Sequence, residues 1–435
     1  MLIFVPKVTS RIEYTFGFVF TEMFHIEYEF TQNRPFFDLF KGEKFLYDDV
    51  NNSPHPQILA TSFLFEHELT SFEPEVMTSN GNIKLFPTAC ELGFDVFSAV
   101  FYMISRYEEY FPYESDQYGR FRAINSFSYK NNLLEVPVVN IWINDLKVWL
   151  LKKYPDLVFN VPQFEALLSY DIDVAYAYKG RGFLRNTAAI FKDLISINFK
   201  NLQERLKVII YNKEDPWDIY KKLIAQLEHY KFRSIFFFLL GPYSRHDKNL
   251  HFKNKSLKQL IRDLFKKSQV GIHPSFNSFL NLNQIAKEKK NLELITGENV
   301  TKSRQHYLKF KLPYTYNYLE ECGIKEDHTM GYPEMVGFRA GICNPFYFYD
   351  LKRERATKLK IFPITLMEAS FIKYQKLTPE QAIEKVTFLI KQVKDVQGMF
   401  ISVWHNNTLS DSFLNKEWRK VHDFMLEEIS RVTSG

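Results

Sequence analysis

The chain has 435 residues, 46% of them hydrophobic and 25% charged, a composition typical of a globular protein large enough for two domains. Its formal net charge of +5 is small for this length, which argues against a dedicated nucleic-acid-binding protein. Cys90, Cys322 and Cys343 are odd in number and far apart, so a disulfide framework or a structural zinc module is not expected.

No apolar run reaches the roughly 18 residues of a membrane span. The N-terminal sequence MLIFVPKVTSR also lacks the basic segment and long apolar run of a signal peptide. Together with the cysteine pattern, these features predict a cytoplasmic protein without a membrane span.

Residues 1–160 predict a first unit that mixes strands and helices. A short apolar run predicts a strand at Leu2–Val5, and apolar residues at helical spacing predict an amphipathic helix over Asp95–Tyr110. The segment LLEVPVVNIW, residues 133–142, predicts a strand, followed by a helix at about Asp145–Lys153. This unit does not cluster metal-ligand residue types, so we interpret it as a smaller α+β accessory domain.

From residue 161 to residue 435, strand-like and helix-like segments alternate, which favours an α/β sheet or barrel. The run Ser234–Leu240 is apolar on both sides, as in a parallel strand that is covered on both faces. Other strands are predicted at residues 270–272, 337–339, 359–367 and 399–404, and helices are predicted from 215, at 256–267, from 378 and at 415–429.

The segment FEALLSYDID carries two carboxylates, Asp171 and Asp173, at the end of an apolar run. Residues two apart on a strand point to the same side, so both carboxylates would enter one pocket if this run is buried. Two carboxylates on one face repel, and a cation, an arginine or a shared proton must offset them. The alternative is a surface strand end with two solvated aspartates.

Polar residues follow other predicted strands in the same way: His273, Arg304, His306, Glu368 and His405. Because the C-terminal ends of parallel strands share one face, we expect these side chains to converge. Carboxylate and imidazole donors suit Zn²⁺ or a similar divalent ion, which lowers the pKa of a bound water towards about 7. A second carboxylate that takes a proton and a histidine that gives one complete the needs of amide hydrolysis.

Four motifs occur in a recognisable order: Asp171-Ile-Asp173, GIHPSFNS around His273, the segment Arg304–Tyr307, and VWHN around His405. In this order they resemble the polysaccharide (NodB-type) deacetylase family, over residues 161–435. The resemblance implies a distorted (β/α)7 barrel, a divalent metal expected to be zinc, and removal of N-acetyl or O-acetyl groups from a saccharide. Residues 1–160 resemble an uncharacterised domain that precedes such barrels in some bacterial proteins.

The resemblance also implies catalytic roles for the matching residues. Asp171 corresponds to the general base and His405 to the general acid. Arg304 corresponds to the arginine that braces the base, and the backbone N–H of Tyr307 corresponds to a donor that helps hold the oxyanion.

The metal positions depart from the family pattern. Asp173 and His273 match two of the ligands, but Asn277 stands where the second histidine of H-x-x-x-H belongs. A neutral amide is a poorer zinc ligand than imidazole. His306 replaces the proline of the motif, so either His306 or Asn277 is expected to complete the site.

Three further residues are candidates for accessory roles. Arg339 in VGFRAG would bind a sugar hydroxyl or carboxylate, unless it pairs with a nearby acid. Trp404 would stack on a sugar ring, unless it packs in the core. Glu368 would orient His405, unless it is a surface residue at a strand end.

The sequence therefore predicts a metal-dependent hydrolase that deacetylates a saccharide or polysaccharide and has no nucleic-acid partner. Two other functions stay open. A catalytically silent barrel that only binds glycan is supported by Asn277. A glycoside hydrolase would need a pair of carboxylates, for which Asp171 and Glu368 are the candidates. Metal content separates the first function from both others.

Overall fold

The structure is a computed structural model that describes residues 1–50, 53–79, 81–195, 199–211, 213–410 and 415–434. Within these residues the chain forms a four-stranded sheet and a two-stranded sheet in its N-terminal part. A nine-stranded sheet follows in the remainder. Helices flank the sheets, so the fold is of the mixed α/β type.

The N-terminal part is built on a small parallel sheet. Its strands are β1 (Leu2–Phe4), β2 (Glu29–Thr31), β3 (Lys44–Asp48) and β4 (Gln57–Leu59), followed by the hairpin of β5 (Val76–Ser79) and β6 (Asn82–Leu85). Its helices are α1 (Ser10–Phe16), α2 (Arg34–Leu39), α3 (Val96–Ile104), α4 (Phe127–Lys130) and α5 (Val138–Lys153). The order β2-β1-β3-β4 is parallel throughout, whereas β5 and β6 pair antiparallel.

Two predicted elements of this part differ from the structure. The helix α3 is shorter than expected and buried on all sides rather than amphipathic, because aromatic side chains of the surrounding elements cover it. The strand expected within residues 133–142 is wrong, since α5 begins at Val138. Burial of Val139, Trp142 and Leu146 at helical spacing outweighs the strand preference of the β-branched residues there.

The second part carries the nine-stranded sheet. Its strands are β7 (Glu165–Ile172), β8 (Arg233–Phe238), β9 (Gln269–Ile272), β10 (Lys302–Ser303), β11 (Glu326–Asp327), β12 (Phe346–Asp350), β13 (Arg355–Ile361), β14 (Leu366–Met367) and β15 (Met399–His405). Its helices are α6 (Phe183–Ile195), α7 (Phe199–Ile209), α8 (Tyr220–Tyr230), α9 (Lys255–Phe265), α10 (Leu282–Thr296), α11 (Tyr314–Glu321), α12 (Pro379–Asp395) and α13 (Lys416–Ser434). The order is β12-β13-β11-β10-β9-β8-β7-β15-β14, and only β12 runs antiparallel to its neighbour. The C-terminal ends of the other strands therefore lie along one edge.

The expected strand at residues 359–367 is divided in two, and the link between its halves joins the two sides of the sheet. Phe362 N–H donates to the carbonyl of Asp327, the last residue of β11, over 2.8 Å. Thr365 N–H donates to the carbonyl of Ile401 in β15 over 2.9 Å. The chain thus leaves β13 beside β11 and enters β14 beside β15 within a few residues.

Two other expectations for this part are corrected. Residues 337–339 are not a strand. Asp215 does not cap a helix, because its carboxylate accepts backbone N–H groups from Ala177, Tyr178 and Lys179, and α8 begins only at Tyr220. The expected helix ends near residues 256, 378 and 415 correspond to α9, α12 and α13, and the capping box at Thr378 is present.

Side-chain alternation along the strands separates two faces of the sheet. On one face Leu167, Ile235, Phe237 and Ile401 form a cluster with Phe362, whereas the opposite face packs against the helices. Asp171 has the same strand parity as Leu167, and His405 has the same parity as Ile401. Both polar side chains therefore lie above this small apolar cluster.

The two parts of the chain touch through buried contacts. Tyr14 donates a hydrogen bond to the carbonyl of Tyr347 over 2.6 Å, and Arg339 pairs with Glu109 over 2.6 Å. The boundary predicted at residue 160 falls between the end of α5 and the start of β7. None of the helices in the described part of the chain has the length and apolar content that a membrane span requires.

Candidate metal centre and cleft

Three side chains from three strand ends converge on one point. Asp173 follows β7, His273 follows β9, and His306 lies on the turn after β10. Asp173 Oδ1 lies 3.2 Å from His273 Nε2, and Asp173 Oδ2 lies 3.5 Å from His306 Nε2. One donor atom from each residue can be chosen so that all three lie within 4.8 Å of one another.

Both imidazoles are oriented through their other ring nitrogen. His273 Nδ1–H donates to the carbonyl of Arg304 over 2.5 Å, and His306 Nδ1–H donates to Asp247 Oδ1 over 2.9 Å. A carbonyl or carboxylate oxygen only accepts here, so the hydrogen belongs on Nδ1 and each Nε2 faces Asp173. This outer support is the arrangement found around metal-ligating histidines.

The charges at this point are strongly coupled. Burial by itself raises the pKa of Asp173, but the His306 and His273 imidazoles outweigh it and hold that pKa well below its usual range. Burial alone would lower the pKa of His306, but the carboxylates of Asp173 and Asp247 outweigh it and raise that pKa to about 9. In metal-free protein a proton on His306 thus balances the carboxylates.

The donor set fits a divalent cation. Asp173 Oδ1 is buried and has no hydrogen-bond partner, although it lies 3.2 Å from His273 Nε2. One carboxylate oxygen and two imidazole nitrogens are ligands that Zn²⁺ and similar ions accept, with a position left for water or substrate. Asp173, His273 and His306 are therefore the residues that would hold the ion.

Asp171 lies next to this group without belonging to it. Its Oδ1 accepts from Arg304 Nη1 over 2.9 Å, and its Oδ2 lies 3.9 Å from His273 Nε2. Arg304 is itself fixed, because its Nε donates to the carbonyl of His328 and its guanidinium lies over the Phe237 ring. The Asp171 carboxylate is thus held in one orientation at the floor of the cleft.

His405 reaches the same point from β15. Its Nε2 lies 3.8 Å from Asp173 Oδ2, and its Nδ1 lies 2.7 Å from Glu368 Oε1. Glu368 is buried and also accepts the backbone N–H of His405 over 3.0 Å. Burial alone would lower the pKa of His405, but Glu368 outweighs it and raises that pKa to about 9. Glu368 therefore orients His405 rather than lying at the surface.

A cleft of about 380 Å³ opens above these residues. The N-terminal part of the chain contributes Tyr118 and Arg120 to its wall. Tyr307, which has a left-handed backbone (φ 63°), is held through its carbonyl by Arg120 Nη1 over 2.5 Å. Tyr118 also contacts the Tyr307 ring, and His246 stacks on Phe276 beside them. An aromatic surface thus adjoins the polar centre.

Sequence reasoning missed three residues of this site. Asp247 lies in an irregular loop, where no strand or helix period marks it. Tyr118 and Arg120 come from the other part of the chain, far from the strand ends in sequence. No short-range signal links any of these residues to the strand ends.

Three expected site residues lie elsewhere. Asn277 is exposed on the turn Phe276–Ser278 and does not line the cleft. Arg339 is buried and makes a two-point ion pair with Glu109, which corrects its expected contact with substrate. Trp404 is fully buried and packs edge-on against His422, because its strand parity is opposite to that of His405. Neither Arg339 nor Trp404 can stack on or bind a ligand in the cleft.

Comparisons with known proteins give one family match and several similar solved structures. Residues 1–155 match DUF7033, a family of unknown function. No curated protein matches the chain.

Three solved structures each resemble about three fifths of the chain at low identity. The first is a Mycobacterium smegmatis protein assigned as a polysaccharide deacetylase (12% identity, TM-score 0.40, covering 61% of this chain and 84% of that one). The second is a 4-alpha-glucanotransferase from Thermococcus litoralis (14% identity, TM-score 0.37, covering 63% of this chain and 38% of that one). The third is a CE4-family pseudoenzyme from Bacillus anthracis (10% identity, TM-score 0.29, covering 60% of this chain and 60% of that one). TM-scores below 0.5 do not establish a common fold.

Proposed function

We propose that this protein is a metal-dependent hydrolase that removes acetyl groups from a saccharide or polysaccharide. The observation that carries the proposal is the convergence of Asp173, His273 and His306 beside two separately braced groups, Asp171 and His405. A divalent ion, zinc being the best fit to one carboxylate and two imidazoles, would polarise the acetyl carbonyl and lower the pKa of a coordinated water.

Asp171 acts as the general base in this proposal. Its Oδ1 is engaged by Arg304, so Oδ2 is the atom that takes the proton of the attacking water. Arg304 does not touch the substrate; its role is to position the carboxylate. Since Arg304 is itself fixed by the carbonyl of His328, the base needs no rearrangement before reaction.

His405 acts as the general acid. Its raised pKa, caused by Glu368, keeps the imidazole protonated near neutral pH, and the Nε2–H is the proton that the leaving nitrogen or oxygen receives. Glu368 holds the Nδ1 side of the ring and so keeps Nε2 turned towards the cleft. The two proton-transfer groups approach the reacting carbonyl from different strands.

The saccharide would lie along the aromatic wall of the cleft. Tyr118 and Tyr307 offer ring faces and edges of the kind that pack against sugars, and the Tyr307 backbone N–H is the proposed oxyanion donor. The second part would be a distorted (β/α)7 barrel, a proposal supported by the link from β13 to β14 across the sheet. The N-terminal part, through Tyr118 and Arg120, would complete the substrate cleft.

Acetate release tests the proposal. Metal-stripped protein is assayed on acetylated chito-oligosaccharides and on O-acetylated xylan, with and without added Zn²⁺, Co²⁺ or Mn²⁺. We expect metal-dependent acetate release with at least one substrate. Saturable glycan binding without acetate release under any metal would instead favour the silent glycan-binding barrel.

The geometry does not favour the glycoside hydrolase. That chemistry needs two carboxyl groups on either side of a glycosidic bond. Glu368 is buried against His405 and does not line the cleft, so it cannot pair with Asp171 across a substrate.

A further inference from the structure

Two helices inserted between β7 and β8, α6 and α7, expose apolar side chains to solvent. We call residues 183–195 and 199–211 the inserted hairpin. Its helices pack against each other. The large apolar side chains that it exposes include Phe191 (62%), Ile195 (83%), Phe199 (63%), Ile210 (62%), Tyr211 (71%) and Leu194. On α6, Ala188, Phe191 and Ile195 share one helical face, so this face is an apolar stripe that faces solvent.

The same hairpin buries charge. Asp193 and Arg205 are both buried and pair over 3.0 Å between the two helices. A helix pair whose outer face contacts only water would normally bury the apolar stripe and expose the charged residues. The exposed apolar stripe would be stabilised if a partner with an apolar surface covered it.

The charge of this region is strongly positive. Residues 179–213 contain eight lysines and arginines against two acidic residues, a net charge of +6, whereas the whole chain carries only +5. The rest of the protein is therefore close to neutral. A basic segment with exposed aromatic and aliphatic side chains matches the surface of a bilayer that contains anionic lipids.

The inserted hairpin lies beside the cleft. Val208 packs with Ala177 and Tyr178, a few residues beyond Asp173 in the chain. The guanidinium of Arg185 lies 3.7 Å from the centre of the Tyr243 ring. The ammonium of Lys248, a residue of the cleft wall, lies 4.8 Å from the centre of the same ring. A surface bound by the hairpin would thus be close to the mouth of the cleft.

We propose that the inserted hairpin binds reversibly to the surface of anionic lipid bilayers. Its apolar side chains would enter the headgroup boundary, and its exposed cationic side chains, Lys207 among them, would lie among the anionic headgroups. No described helix spans a bilayer, so the attachment would be peripheral. This proposal stands independently of the deacetylase activity, because it needs none of the residues of the metal centre.

Vesicle flotation tests the proposal on the full-length protein. The probes are vesicles of phosphatidylcholine alone and of phosphatidylcholine with an equal part of phosphatidylglycerol. We expect binding to the anionic vesicles that weakens as salt is raised, and much weaker binding to the neutral ones. The triple variant Phe191→Ser, Ile195→Ser, Phe199→Ser should reduce the partition coefficient at least about tenfold.

A matched control changes three equally exposed apolar residues on other surfaces, Leu39→Ser, Val158→Ser and Leu294→Ser, and should bind like the wild type. The charge variant Lys207→Glu should weaken binding to the anionic vesicles only. Circular dichroism and denaturant unfolding, unchanged in every variant, report an intact fold.

Three results would overturn the proposal. One is equal binding of the wild type and the Phe191 triple variant. Another is wild-type protein that fails to float with anionic vesicles. The third is a wild-type dimer in light scattering that becomes monomeric in the triple variant, which would assign the apolar face to a second copy of the chain.

Discussion

Two clusters of buried charge in this protein differ in how their polar atoms are satisfied. At the contact between the two parts of the chain, Arg339 binds both oxygens of Glu109, and Arg106 binds the same carboxylate over 2.8 Å. At the cleft, Asp173 faces three imidazoles at 3.2–3.8 Å, and its Oδ1 has no hydrogen-bond partner. In the first cluster both carboxylate oxygens of Glu109 are paired with arginines, whereas the second cluster leaves room for a ligand.

A third buried group refines this difference. His328 lies flat against Phe362 with ring centres 4.5 Å apart, and neither of its ring nitrogens has a hydrogen-bond partner. Burial lowers the pKa of His328 to about 4, so the ring is neutral under ordinary conditions. A single unsatisfied side chain is thus compatible with an apolar setting. Convergence of several donors on one point is what distinguishes the cleft.

The largest expected effect is on turnover. Asp171→Asn and His405→Ala should each lower the deacetylation rate by about 10²–10⁴-fold, because each removes one proton-transfer group. Metal content should stay at the wild-type level in both variants. The control changes, Asp263→Asn and His229→Ala on outer helices, should leave the rate unchanged. An unaltered rate in Asp171→Asn would remove that residue from the mechanism.

Disrupting the cluster of Arg339 and Glu109 should lower stability rather than turnover. Arg339→Ala leaves Glu109 buried without one of its two partners, which is expected to reduce the free energy of unfolding by about 3–5 kcal/mol. Denaturant unfolding measures this loss, and metal bound per folded molecule should not change. The exposed pair of Arg233 and Glu165 is the control, since Arg233→Ala should cost less than about 1 kcal/mol. Loss of metal from folded Arg339→Ala protein would contradict the separation of the two clusters.

His328 predicts a pH dependence of stability. Its pKa of about 4 in the folded protein lies below the value of about 6.5 expected when unfolded, so the unfolded chain binds more protons between these values. Above about pH 6.5, His328 should therefore not reduce the free energy of unfolding. That free energy should fall by about 3 kcal/mol as the pH drops from there through 4. His328→Phe, which keeps the ring stack, should show a smaller fall in urea titrations over this range. Equal slopes in both proteins would refute the prediction.

The smallest effect is expected from the support behind the centre. Asp247→Asn weakens the acceptor that orients His306 Nδ1–H, and such outer changes typically lower metal affinity by about 10–100-fold. Competition with a chromophoric chelator measures the affinity. Asp263→Asn should bind metal like the wild type, and so would Asp247→Asn if His306 were not a ligand.

The strand ends were predictable because local patterns mark them. The apolar run before Asp171 and the parity of residues two apart predict a shared face for Asp171 and Asp173, and the structure has both side chains there. Helix α5 was not predictable in this way, since its β-branched residues favour a strand until tertiary burial is known. The partner of Arg339 could not be predicted either, because Glu109 is far away in sequence and only the fold brings the two together.

Residues that act through distant contacts were also beyond local patterns. Asp247 supports His306 from a loop without any period, and Arg120 holds the Tyr307 carbonyl from the other part of the chain. His306 itself was one of two options for the third ligand. Its position facing Asp173 comes from the turn after β10, whose left-handed residue Tyr307 has no signature in sequence.

Equilibrium titration of metal-stripped protein with Zn²⁺ tests the central claim most directly. The wild type should bind one ion per chain saturably, and Asp173→Ala, His273→Ala and His306→Ala should each lose this binding while circular dichroism stays unchanged. Asn277→Ala, on the exposed turn, should bind like the wild type. No saturable binding in the wild type, or full binding in folded Asp173→Ala protein, would contradict a metal centre at this point.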